Sequence, residues 1–254
     1  MYPIIDIFGL KISSYFIMAI LGCAAAFLLY IFYTKKYFPG DRFDRNMLFI
    51  YGLFGAFLGS KLLYIIVEWN KIFSCSNIIT AIANGGFVFY GGLLGGMLFT
   101  AIYCKKQNLK WFTFADSICA PLCLGHAIGR IGCFLAGCCY GTQTDLPIGV
   151  VYPQGGIAPS GIRLLPTQLM ESAFLLILCV FLLVILRKKI TGLAAGCYLT
   201  LYGIWRFAIE FFRDDNRGSI LFFSTSQFIS IFIIAIGLAI IVSATKSVKS
   251  AFKK

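Results

Sequence analysis

Apolar residues run through this chain in long, unbroken stretches rather than alternating with polar ones. Seven such runs can be read, at 12–34, 46–67, 84–104, 112–130, 166–186, 191–212 and 219–245. Each is close to the roughly 20 residues that a helix needs to cross a bilayer. Backbone groups in lipid need internal partners, which leaves helices or a closed barrel. A barrel strand alternates apolar and polar positions, and these runs do not, so the pattern predicts helices. The fold class expected is an all-α polytopic membrane protein with about seven transmembrane helices, one transmembrane domain over 1–254.

The polar breaks between the runs orient them. Basic clusters stand at alternate gaps: Lys35, Lys36, Arg42 and Arg45; Lys105, Lys106 and Lys110; Arg187, Lys188 and Lys189; Lys246, Lys249, Lys253 and Lys254. With seven spans, all four clusters fall on one side, and the excess of Lys and Arg marks that side as cytoplasmic. The N-terminus is then outside and the C-terminus inside. The sizeable connection without a basic cluster, 142–165, is broken by Pro147, Pro153, Pro159 and several glycines. It is expected to form a small extracytoplasmic cap.

Composition strengthens the membrane reading and removes two alternatives. Only 13% of residues are charged and 59% are hydrophobic, against roughly a quarter charged in soluble domains. The net charge of +12 would suit a nucleic-acid partner, but most of it lies at the ends of apolar runs, where it orients helices and meets anionic lipid. No nucleic acid is expected. Ten cysteines do not make a disulfide scaffold, because Cys23, Cys104, Cys119, Cys123, Cys179 and Cys197 sit inside apolar runs as small hydrophobes. The first run is too long for the apolar core of a signal peptide and reads as a span.

Within the runs, two kinds of residue stand out. Glycine clusters recur at 52–59, 85–96 and 125–132, either for close helix packing or to leave room for lipid. Charged residues inside spans cost about 2.5–3.5 kcal/mol or more and usually face a cavity or a partner. They are Lys61, Asp116, Arg130, Glu171, Arg206 and Glu210. Lys61 and Asp116 are read as snorkelling to an interface or as functional. Arg206 and Glu210, spaced i, i+4, share a helix face, with Arg213 a turn further on. Arg130 has no carboxylate within four residues and needs a partner from another helix or from a ligand. Its planar fork suits phosphate and carboxylate groups. Beside the Arg206 cluster it would form a receptor for an anionic phospholipid head.

Arg130 opens the segment GRIGCFLAGCCYG, 129–141. Three thiols at spacing C-x4-C-C, namely Cys133, Cys138 and Cys139, can pack, form a local disulfide, line a substrate site or bind metal. A structural zinc site usually adds a second ligand pair downstream, and none follows. The reading is therefore no metal site. A thiol lowered in pKa by Arg130 could also act as a nucleophile.

GRIGCFLAGCCYG, followed by TDLPIGVVYP, PTQLMES and YGIWRFAIEFFR, resembles the prolipoprotein diacylglyceryl transferases of bacteria. The blocks extend from about Phe87 to Arg213, and the seven-span topology fits the whole chain. The resemblance implies an enzyme of the bacterial cytoplasmic membrane, without a cofactor. It moves the diacylglyceryl group of phosphatidylglycerol to the lipobox cysteine of a prolipoprotein signal peptide and releases glycerol 1-phosphate. By motif match, Arg130 corresponds to the signature arginine, and Arg206 and Glu210 to the functional Arg and Glu near the last loop. Tyr15 falls at a functional tyrosine of the first span, and Gly141 closes the signature. Tyr15, Arg130, Cys133, Gly141 and Arg206 are thus expected to bind substrate.

Three departures affect the chemistry. The family's histidine motif reads Phe89-Tyr90-Gly91-Gly92, its signature asparagine is Cys133, and an acidic position is Cys138. The arginines that would hold phosphate are kept. Something must take the acceptor's thiol proton, and a free thiol with a pKa of about 8.5 needs only modest help. Tyr90 and His126 are the two candidates, alongside Arg130, Arg206 and Glu210 as catalytic residues. His126 is the sole histidine and stands four residues before Arg130. The alternatives are a related transferase with another acceptor and a non-catalytic phospholipid-binding paralogue.

Overall fold

The computed structural model describes residues 4–7, 10–37, 41–74, 77–84, 86–153, 157–214, 219–220 and 223–251. Lys253 and Lys254 of the last basic cluster, and Gly85 of the second glycine cluster, lie outside the described residues, as do the side chains of Lys36 and Lys249. Each apolar run becomes a helix. They are α1 (Ser14–Tyr37), α2 (Arg42–Val67), two short helices α3 (Trp69–Phe73) and α4 (Ile78–Asn84), then α5 (Phe89–Lys106) and α6 (Trp111–Ala136). After a non-helical segment come α7 (Thr167–Leu186), α8 (Leu193–Ile209), a 3-10 turn (Glu210–Phe212) and α9 (Thr225–Ala251). Among the described residues, five of these, α1, α2, α6, α7 and α9, are long and apolar enough to cross a membrane. The protein is an all-α, multi-pass membrane protein.

Boundaries move where backbone chemistry outweighs hydropathy. The α6 helix continues to Ala136, past the expected end at 130, so both Arg130 and Cys133 are helical. The α5 helix begins at Phe89 rather than at 84, beyond a glycine pair. Hairpins that the apolar pattern does not signal flank two of the helices: β1 (Ile4–Ile7) with β2 (Leu10–Ser13) before α1, and β5 (Ser219–Ile220) with β6 (Phe223–Ser224) before α9. Each is too short to register as a hydrophobic run.

The chain forms two compact units, residues 38–114 and residues 1–37 with 115–254. In the first, α2 and α5 pack antiparallel through glycines spaced by four. A Cβ on Gly55 would collide with Phe99 and the Gly95 carbonyl, and one on Gly59 with the Gly91 carbonyl. The two glycine clusters exist for this approach, in which backbones meet without intervening side chains. Lys61, on α2, holds its ammonium 4.6 Å from the Phe87 ring centre and 5.5 Å from that of Tyr64. In the second unit, a Cβ on Gly22 of α1 would lie 2.7 Å from the Gly125 carbonyl of α6. The α8 and α9 helices cross at Gly196, Thr200 and Gly237.

Asp116 corrects the snorkelling reading. It is 6% exposed, and its two carboxylate oxygens accept from Gly192 N at 2.6 Å and Ala195 N at 2.8 Å. The carboxylate therefore closes the first turn of α8, where free backbone N–H groups and the helix dipole favour negative charge. Gly192 supplies the left-handed conformation at that turn, with φ +88°.

The 142–165 connection carries a small folded element. Strands β3 (Val150–Val151) and β4 (Arg163–Leu164) pair antiparallel. Tyr152, Ala158 and Leu164 are buried beneath them against Phe134 and Tyr140. Isolated bridges join Gln143 to Leu164 and Gly141 to Arg213, which ties the cap to the end of α8.

Candidate active site

The site is built where α6 ends, and it lies within the second unit. Its framework is the start of α7. Pro166 precedes the helix, and the polar residues of PTQLMES, placed at the head of an apolar run, all turn toward α6 and the segment after it. Thr167 Oγ1 donates to the Cys139 carbonyl at 2.8 Å, and Gln168 Nε2 donates to the Cys138 carbonyl at 2.7 Å. Gln168 Oε1 accepts from Tyr152 of the cap at 3.2 Å. Ser172 Oγ donates to the Ala127 carbonyl at 2.9 Å. One turn of α7 thereby satisfies buried carbonyls that an apolar helix would leave unpaired, each at a cost of about 1–3 kcal/mol.

Glu171 is the centre of this turn. It is 1% exposed and accepts from Arg130 Nη2 at 2.9 Å. Tyr202 of α8 donates to the same oxygen at 3.2 Å, and His126 Nε2 stands 3.8 Å from it. The His126 ring meets the Tyr202 ring edge-on, at 5.5 Å between centres. Arg130 is thus not unpaired: the partner the sequence required is a carboxylate from another helix, 41 residues on. Its Nε atom is nevertheless buried and meets no acceptor among the described residues.

The α8 block supplies the second cation group. Arg206 Nη2 pairs with Glu210 Oε2 at 3.0 Å, as the i, i+4 spacing predicts, and donates to Ser226 Oγ at 2.9 Å. Its other terminal nitrogen, Nη1, is buried without an acceptor among the described residues. Arg206 and Arg213 both lie within electrostatic reach of Glu171. Three arginines around two carboxylates leave the neighbourhood with one net positive charge. Arg130 Nε and Arg206 Nη1 still have donor capacity, which suits a singly charged phosphodiester.

Most of the predicted site residues come together here. Tyr15, at the start of α1, lies within electrostatic reach of Arg130 and of Cys133, Cys138 and Cys139, and its side chain is half exposed. Gly141 is held between Phe212 and Thr167, where a Cβ would lie 2.6 Å from the Phe212 carbonyl, so only glycine fits. Tyr90 belongs to the other unit, on the first turn of α5, where its ring is partly exposed. Glycine 129, beside Arg130, faces open space, unlike Gly125 and Gly132, which pack on α1.

The three thiols converge. Gly137 N donates to the Phe134 carbonyl and Cys138 N to the Cys133 carbonyl, with Gly137 at φ +73°. These are the two bonds of a Schellman cap, which brings the residue at the third helical position from the end against the second residue past it. The C-x4-C spacing is that pair. Cys139 follows at φ +63°. The adjoining Cys133 and Cys138 thiols, and then the Arg213 guanidinium that bonds it, hold the Cys139 thiol below the ordinary thiol range.

Sequence reasoning flagged Glu171 as an intramembrane charge without giving it a site role, and it did not single out Thr167, Gln168, Ser172, Tyr202 or Ser226. Polar residues clustered at the head of an apolar run were the available signal.

A family model described as prolipoprotein diacylglyceryl transferase matches residues 3–243. The chain belongs to this family. It is 43% identical over 240 residues to a phosphatidylglycerol–prolipoprotein diacylglyceryl transferase of Clostridium tetani, covering 94% of this chain and 96% of that one. It is 41% identical over 236 residues to a second transferase of that name in Clostridium perfringens, covering 92% and 91%. The enzyme of that name in Finegoldia magna is 31% identical over 247 residues, covering 96% and 95%. The family model extends over both units. GRIGCFLAGCCYG, PTQLMES and YGIWRFAIEFFR all fall within the matched residues, and they interlock through Glu171.

Proposed function

We propose that this chain transfers the diacylglyceryl group of phosphatidylglycerol to the lipobox cysteine of a prolipoprotein, forming a thioether and releasing glycerol 1-phosphate. The observation that carries this reading is the buried arginine group around Glu171, with Arg130 Nε and Arg206 Nη1 still able to donate. The acceptor sulfur attacks the glyceryl carbon bonded to phosphate. The new C–S bond forms as the C–O bond breaks, and the electron pair leaves on the phosphate ester. Arg130 and Arg206 stabilise the charge that develops there. Glu171 fixes the Arg130 fork so that no reorganisation is needed during the reaction.

The acceptor's proton goes to the neutral His126 imidazole, or to Tyr90 only where that residue is present as phenolate. The proximity of His126 to Glu171 and Arg130 favours His126. The position of Tyr90, at the family's histidine motif, favours Tyr90. Tyr15, Cys133 and Gly141 bound the substrate site. The chain acts as one transmembrane domain with seven spans, its N-terminus and the 142–165 cap outside and its C-terminus in the cytoplasm. The alternation of basic clusters supports this orientation.

The test is to incubate the purified protein with radiolabelled phosphatidylglycerol and a lipobox peptide. Label moving to the peptide supports the transferase. Lipid binding with no transfer favours the non-catalytic alternative.

A further inference from the structure

We propose that Cys133, Cys138 and Cys139 form a binding site for one thiophilic divalent metal ion of the zinc class, with a fourth coordination position left to a non-protein ligand. The three Sγ atoms lie within 4.8 Å of one another. A tetrahedral ion with metal–sulfur distances of about 2.3 Å holds its sulfurs roughly 3.8 Å apart. Small side-chain rotations close that difference. The sequence lacks a second ligand pair, but the fold supplies the third ligand from the residue next to the first pair.

Packing accounts for two of the thiols but not for the third. A Schellman cap brings Cys133 and Cys138 into contact in any sequence, usually as an apolar pair. Cys139 lies beyond that motif and adopts φ +63°, a conformation that residues with a Cβ avoid and that persists where surroundings hold it. The surroundings do hold it: Thr167 and Gln168 bind the carbonyls of Cys139 and Cys138. The result turns a third thiol onto the first two. A disulfide would use two sulfurs and leave one, whereas a metal ion uses all three.

Charge and burial fit the same occupant. All three cysteines are half-buried, so an ion can enter and still lose most of its water. Three thiolates and a divalent ion sum to one negative charge. Arg213 bonds Cys139, and Arg130 lies in electrostatic reach of Cys133, so cations face the site. Each thiol gives its proton to solvent on binding, so no oxidant or reductant is required. Among the described residues no His, Asp or Glu joins the three sulfurs, which leaves the fourth position open.

The experiment uses the full-length protein, reduced and stripped of metal, in lipid nanodiscs. It is titrated with Co²⁺, then with Zn²⁺. One Co²⁺ per chain should bind with an intense sulfur-to-metal charge-transfer band, and Zn²⁺ should displace it. The band should fall in each of Cys133→Ser, Cys138→Ser and Cys139→Ser. X-ray absorption of the wild type with one Zn²⁺ should count three sulfur neighbours, a reading that does not depend on whether a variant folds. No stoichiometric band in the wild type overturns the proposal. So does a band that survives in the triple serine variant, since other cysteines would then be the ligands. A disulfide between two of the three, found in protein isolated without reductant, also overturns it. None of these readouts involves lipid transfer, so the proposal and the transferase reading fail separately.

Discussion

Arg130 on α6 and Glu171 on α7 stand 2.9 Å apart, 41 residues distant in the chain, with Glu171 1% exposed. The carboxylate also receives Tyr202 and faces His126. Removing one partner of a buried pair strands the other charge, at a cost of about 3–5 kcal/mol. Glu171→Gln should therefore unfold at clearly lower temperature in detergent, and its activity should fall as Arg130 loses its fixed orientation. Wild-type thermal stability in this variant would show that the pair does not organise the site.

Arg130→Lys keeps the charge and loses the planar fork. The variant should insert normally and bind lipid weakly. Its transfer rate should drop on the order of a hundredfold, the usual loss when a donor to a developing anion is removed. Transfer at the wild-type rate would reduce Arg130 to a diffuse field.

His126 and Tyr90 are separated by a pH profile. If His126 takes the thiol proton, His126→Gln should lower the rate about a hundredfold near neutral pH. Raising the pH should restore part of the rate, since more acceptor thiol ionises unaided. Tyr90→Phe should then weaken mainly the apparent affinity for phosphatidylglycerol. The reverse pattern, with a pH-rescued defect in Tyr90→Phe and a silent His126→Gln, assigns the proton to Tyr90.

Helices were legible because lipid imposes long apolar runs, and Arg206 with Glu210 was legible because both lie on one helix face. The partner of Arg130 was not, since nothing local links position 130 to position 171. For Asp116 an interfacial and a functional reading stay open in the sequence, because its role depends on backbone N–H groups of Gly192 and Ala195, which hydropathy does not register. The convergence of the thiols was hidden for a related reason. It arises from the helix cap at Gly137 and the turn at Cys139 rather than from ligand spacing.

The proposed orientation rests on the basic clusters and is checked at the C-terminus. A reporter that fluoresces only in the cytoplasm, fused after Lys254, should be bright. A well-expressed but dark fusion would reverse the topology and bring the 142–165 cap inside.

The most direct measurement is product stoichiometry. The full-length protein in phosphatidylglycerol nanodiscs is given a lipobox peptide, and both products are quantified by mass spectrometry. One glycerol 1-phosphate should appear for each peptide carrying a thioether-linked diacylglyceryl group. Neither product should form with a peptide whose cysteine is replaced by serine. Glycerol 1-phosphate released without lipidated peptide, or no product from a folded, lipid-bound protein, would contradict the account.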